Sequence, residues 1–112
     1  MTIEALKNCG VNVEEGLSRC LNNEAFYLKM IHMGLADGHF AKLEEAIAAH
    51  NLDEAFENAH ALKGVVGNLA LTPLAKPISE ITELLRARTD IDYSALCAEI
   101  SARRSELCAL EQ

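Results

Sequence analysis

Basic residues are scarce in this sequence: ten lysines and arginines stand against 17 aspartates and glutamates, for a formal net charge of -7. Nucleic acid and anionic membrane surfaces both demand a cationic footprint, so neither is expected as a partner, and proteins are. Long apolar runs are missing too. The longest stretch without a charged residue, Gly64 to Ala75, is too short to span a bilayer, and no basic segment leads into an apolar block at the N-terminus. A cytoplasmic location is the expectation. The four cysteines, Cys9, Cys20, Cys97 and Cys108, never take a Cys-x-x-Cys spacing, which argues for reduced, partly buried thiols over a zinc ribbon or a disulfide framework. Phosphate-binding Gly-x-x-x-x-Gly-Lys-Ser/Thr and Gly-x-Gly-x-x-Gly loops are absent, as is an Asp-Phe-Gly metal site, so no nucleotide cofactor is expected.

What is present points to helix. Ala, Leu and Glu make up 46 of the 112 residues, while Val and Thr supply only four each. Half of the residues are apolar and 24% are charged, enough to build a core and too apolar for a disordered tail. A single domain over residues 1–112 follows from the length. Thr2 to Asn8, stopped by Gly10, reads as a short first helix, and Asn12-Val13-Glu14-Glu15 as a capping box opening a second that ends at Asn22 or Asn23. Phe26, Tyr27, Met30, Ile31, Met33 and Leu35 recur at helical spacing up to the break at Asp37-Gly38. The next helix carries Phe40, Leu43, Ala46 and Ile47 on one face. Asn51-Leu52-Asp53-Glu54 opens another, running to about Leu69. Thr72-Pro73 reads as an N-cap and first helical position, with an apolar stripe through Leu74, Ile78, Ile81 and Leu85; Pro77 predicts either a kink or a later start. The last helix, about Asp92 to Leu110, should bury Tyr93, Leu96, Cys97, Ile100 and Leu107. These elements predict an all-α fold, an antiparallel up-and-down four-helix bundle with short extra N-terminal helices, the alternative being a less regular helical array.

The helix from Asn51 to Leu69 places Leu52, Phe56, Ala59, Leu62 and Val66 on one core-facing arc, with His60 on its flank. Gly64 at i+4 and Gly67 at i+7 share that flank, and Lys63 at i+3 stands beside it. Each glycine inside a helix costs about 1 kcal/mol relative to alanine, so two beside one histidine require a reason. One reason is close approach by another body: a partly exposed imidazole is a nucleophile, and a lysine one turn on neutralises an incoming phosphoryl group. The other is that the glycines let a neighbouring helix pack tightly beside an ordinary surface histidine. Geometry leaves both open.

The segment Ala59-His60-Ala61-Leu62-Lys63-Gly64-Val65-Val66-Gly67-Asn68-Leu69, with its His-x-Leu-Lys-Gly-x-x-Gly pattern, resembles the signature of the histidine-containing phosphotransfer (HPt) domain family. The resemblance extends to Gly10-Val11-Asn12, Leu17, Asn22-Asn23-Glu24, Tyr27-Leu28, the alanine-rich segment before His60, and Leu74. It implies a four-helix bundle in which His60 accepts a phosphoryl group from the aspartyl phosphate of a receiver domain and passes it to another receiver. It further implies that Lys63 pairs with phosphate oxygens, and that Gly64 and Gly67 keep the approach clear. Such a domain is a phosphocarrier and not an enzyme. It has no cofactor of its own, Mg²⁺ being expected on the receiver of a response regulator or hybrid histidine kinase. Ala70 stands where the family often has glycine, and Pro77 interrupts a helix that is usually continuous.

Two other readings compete. A metal-binding bundle would use His32, His39, His50 and His60 with cysteines, but no His-Glu-x-x-His exists, and the one Glu-x-x-His, Glu57 to His60, has no second copy to pair with. A non-phosphorylated helical adaptor would bind a receiver or kinase, yet a degenerate copy would be expected to have lost His60. Met30 and Met33 read as core filler, and Arg86, Arg88, Arg103 and Arg104 as charges at exposed helix ends. Glu57, Ala61, Val65 and Asn68 are the expected partner contacts, Val65 as an exposed apolar residue pointing away from the core. A monomer is the default expectation.

Overall fold

The structure, a computed structural model, describes residues 1–111. Among them are seven helices and no strand: α1 (Ile3–Asn8), α2 (Val13–Arg19), α3 (Glu24–Leu35), α4 (His39–Ala48), α5 (Leu52–Asn68), α6 (Thr72–Arg86) and α7 (Ser94–Cys108). None of them is long and apolar enough to cross a membrane. The fold is all-α, as the composition predicts.

Helix starts follow from local side-chain chemistry. Asn12, Asn23 and Asn51 each accept a hydrogen bond from the amide three residues on, at 3.3, 3.0 and 3.1 Å. Glu15 and Glu54 close the two capping boxes by accepting from the Nδ2 of Asn12 and Asn51. Thr72 departs from its expected role. It is the first residue of α6, Leu71 holds the cap position without a side-chain bond, and the Thr72 hydroxyl donates to the Ala70 carbonyl at 3.3 Å. Nor does Pro77 delay the helix: α6 is continuous from Thr72, and the buried Pro77 ring forgoes only the amide that would have reached back to Pro73.

Helix ends are closed by an unexpected set of residues. Gly10 ends α1 at φ +93°, but Leu21, His50, Ala70 and Arg88 take the same left-handed role after α2, α4, α5 and α6. After α1, α4, α5 and α6 paired bonds run back to the last turn, as from Leu71 to Val66 and from Ala70 to Gly67 at the end of α5; after α2 Asn22 alone reaches back past Leu21, to Leu17. Ala70, at φ +55°, occupies a conformation that suits glycine better. The second helix also stops at Arg19, short of Asn22, because Leu21 and Asn22 both turn left-handed. The last is shorter at both ends, with Leu96 and Cys97 half-buried.

α5 packs against α4 on one side and α6 on the other; α7 packs on α6 and reaches α3. The core includes Leu6, Tyr27, Ile31, Leu62, Leu74, Ile78, Ile81 and Leu85, all 1% exposed or less. On α5 the buried residues are Ala55, Asn58, Ala59, Leu62 and Val66, so the core arc is rotated away from Leu52 and Phe56, which are half-buried. Asn58 is accommodated by donating to the Glu54 carbonyl at 2.9 Å, and buried Thr82 by donating to Ile78 at 2.6 Å.

One buried contact ties the N-terminal helices to the end of α5. The Tyr27 hydroxyl donates to the Leu69 carbonyl at 2.7 Å, and burial, helped by nearby Cys20, pushes its pKa up to about 12. Gly16 on α2 lies directly against that phenol; a Cβ there would fall inside the Tyr27 hydroxyl and ring. Gly16→Ala is therefore expected to displace Tyr27, break the Leu69 bond and cost roughly 2–3 kcal/mol. Urea unfolding would show this as a lower midpoint at unchanged slope.

Candidate functional site

α5 carries His60 near its middle, on the side away from the core, and the imidazole is exposed. Helical side chains lean toward the N-terminus of their helix, so His60 leans over Phe56, one turn earlier. The two rings lie 5.7 Å apart between centroids, tilted by 35°. The same directional rule means that a side chain at position 64 would lean back over His60. Glycine leaves that space bare. A Cβ at Gly64 would meet nothing within 4 Å, nor would one at Gly67, and both residues are exposed. Tight helix packing is therefore not what these glycines serve.

Lys63 is half-buried on the edge of the strip that faces α6. From α6, Glu83 and Arg86 reach the same edge. The Arg86 guanidinium carbon stands 4.9 Å from the centre of the Phe56 ring, and Arg86 Nε donates to Glu83 Oε2 at 3.0 Å. That hydrogen bond holds the Glu83 carboxyl below the usual carboxylate range, with the charges of Arg86, Lys63 and His60 adding to the effect. The four arginines read from the sequence as one class separate here. Arg88 pairs with Asp53 and Arg103 with Glu106, while Arg104 donates to the Leu35 carbonyl at 2.7 Å and lies over Phe40. Arg86 alone joins the site.

The remaining expected contact residues divide. Glu57 and Asn68 are exposed; Ala61 and Val65 are half-buried. Val65 does not stand free as the sequence reading had it, because it packs toward Gly34 on α3, where an added Cβ would come within 3.3 Å of Val65 Cγ1. The exposed apolar residues lie one helix over. Phe26 is 46% exposed and Met33 54%, and with half-buried Met30 they border Asn68 and Leu69 at the end of α5. Met33 is thus not the core filler expected of it, whereas half-buried Met30 does pack against the core. α3 carries two neighbouring stripes: Tyr27, Ile31 and Leu35 are buried, and Phe26, Met30 and Met33 form the other, with Met30 half-buried at the core's edge and the other two exposed. The doubled stripe was visible in the sequence, since a single helix face cannot bury both.

Two other histidines are engaged, His32 Nδ1 with Glu111 at 2.8 Å and His39 Nδ1 with Asp37 at 2.6 Å. His50 closes α4 in its left-handed turn. Among the described residues no three His, Cys, Asp or Glu side chains converge to hold a metal ion, and the four cysteines are free thiols.

A family model described as Hpt domain matches residues 34–111, more than half of the chain. Searches of curated proteins and of solved structures find no match.

Proposed function

The chain belongs to the Hpt domain family, whose members are phosphocarriers in two-component signalling with receiver domains as partners, and from that premise we propose that His60 is its phosphoryl acceptor. The observation that carries the proposal is the bare strip beside the exposed imidazole: two glycines inside a helix, each with open space where a side chain would be. Their helix-propensity cost of about 1 kcal/mol apiece has no return within this chain, and the return is access for a receiver's active-site loops.

In the proposed reaction the lone pair of an imidazole nitrogen attacks the phosphorus of a receiver's aspartyl phosphate. The P–N bond forms as the acyl P–O bond breaks, the aspartate leaves as carboxylate, and the imidazole loses its remaining N–H proton to solvent. Lys63 offsets the phosphoryl charge. Mg²⁺ belongs to the receiver, and the chain needs no cofactor of its own. Glu57, Ala61, Val65 and Asn68 contact the receiver, and Phe26, Met30 and Met33 extend that surface onto α3. Return of the phosphoryl group to a second receiver is the reverse reaction.

The test is to incubate the protein with a panel of phosphorylated receiver domains, follow acid-labile, base-stable phosphate on the chain, and map it by mass spectrometry. Phosphate on His60 is expected. Receiver binding without transfer from any of them would replace the proposal with a non-phosphorylated adaptor.

A further inference from the structure

The geometry points to Phe56 as a positioning residue for His60: a ring on which the imidazole rests, itself held by Arg86 and Glu83 from α6. The inference rests on the phosphoryl-acceptor reading above and adds what orients the acceptor. The histidines His32 and His39 are fixed by carboxylates at Nδ1. Among the described residues nothing hydrogen-bonds either ring nitrogen of His60, and the ring projects from an exposed helix flank. Left to itself such a side chain samples several rotamers, and a nucleophile spread over rotamers reacts slowly.

Phe56 supplies the missing constraint. Its centroid lies 5.7 Å from that of the imidazole, within the range of an attractive aromatic pair, and the one-turn spacing along α5 makes the contact a consequence of helix geometry. Phe56 is half-buried, so its own freedom is limited. The Arg86 guanidinium lies 4.9 Å from its centre and is anchored in turn by Glu83 at 3.0 Å. Two groups from two helices, the His60 imidazole and the Arg86 guanidinium, therefore meet on one ring. A stacked ring differs from a hydrogen-bonded one in a way that suits a phosphocarrier. A polar partner occupies one nitrogen and selects a tautomer, whereas an aromatic shelf fixes the ring and leaves both nitrogens open, one for attack and one for proton loss.

The experiment compares the wild type with Phe56→Leu, Phe56→Tyr and Arg86→Gln, each checked by thermal unfolding. Its first readout is the NMR shift of the His60 ring C–H protons, which sense the ring current of Phe56. Its second is transfer from a phosphorylated receiver over a range of receiver concentrations. In Phe56→Leu the His60 shifts are expected to move toward those of a solvent-exposed histidine. Transfer at saturating receiver should fall about tenfold while the half-saturating concentration stays constant, and Phe56→Tyr should keep both properties. Arg86→Gln, altered on the surface, should slow transfer about threefold by loosening Phe56. Unmoved shifts, or a wild-type saturating rate in Phe56→Leu, overturn the inference; so does a change confined to the half-saturating concentration. Should Phe56→Leu fail to fold, a wild-type rate and unmoved shifts in Arg86→Gln overturn it instead. If the wild type takes up no phosphate although the ring shifts move, the stack exists and the acceptor reading fails.

Discussion

With a phosphorylated receiver as donor, His60→Gln takes up no acid-labile phosphate, while His32→Gln, His39→Gln and His50→Gln are loaded as fast as the wild type. The His60 imidazole is exposed, and its one described partner is the Phe56 ring, so its removal should change stability by no more than about 0.5 kcal/mol. Loss of loading would then be a loss of chemistry and not of fold. The other three histidines lack the clearance that Gly64 and Gly67 give. His32 and His39 are paired with Glu111 and Asp37, and His50 has a conformational role at the end of α4. The measurement is phosphate per chain after incubation, beside thermal midpoints for all four variants. Phosphate on His60→Gln would place the acceptor elsewhere.

The parts of this molecule that were legible in its sequence are those fixed by residues close together in the chain. Capping at Asn12 and Asn51 involves residues three apart, and the His60–Gly64–Gly67 strip follows from helix periodicity alone. Helix ends were less legible. A reading that looks for glycine finds Gly10 and misses Leu21, His50, Ala70 and Arg88, the last three held left-handed because the paired bonds to the last turn outweigh a steric cost of about 1 kcal/mol. The same turn at Ala70 draws Thr72 into α6 and takes away its expected capping role. Least legible was what depends on tertiary packing. Arg86 lies on a different helix from Phe56 and His60, and no spacing rule connects position 86 with position 56. Phe56 itself was assigned to the core because the arc through Leu52, Phe56, Ala59, Leu62 and Val66 left out Ala55, whose small side chain lies fully buried where α5 packs against its neighbours.

Gly64→Leu is expected to move stability and transfer in opposite directions. Leucine is a good helix former, and a Cβ at this position meets nothing within 4 Å, so the folded state should gain up to about 1 kcal/mol. The same side chain would lean toward the N-terminus of α5, over the face of His60 that Phe56 does not cover. A receiver's aspartyl phosphate must reach within about 3–3.5 Å of the attacking nitrogen in line, and displacement by one side-chain layer should slow transfer at least about 100-fold. Gly67→Leu, a turn further on, would give a similar gain in stability with a smaller loss in rate, because its side chain would cover the region of Lys63 and Gly64 and not His60 itself. Urea midpoints and initial transfer rates measured on the same preparations separate the two effects. A Gly64→Leu protein that is both more stable and as fast as the wild type would show that the bare strip is not an approach path. One that is less stable would mean that the glycine has a packing partner, which would return the strip to an ordinary helix surface. Opposed changes are the signature of a position at which the chain gives up helix stability to remain open to a partner.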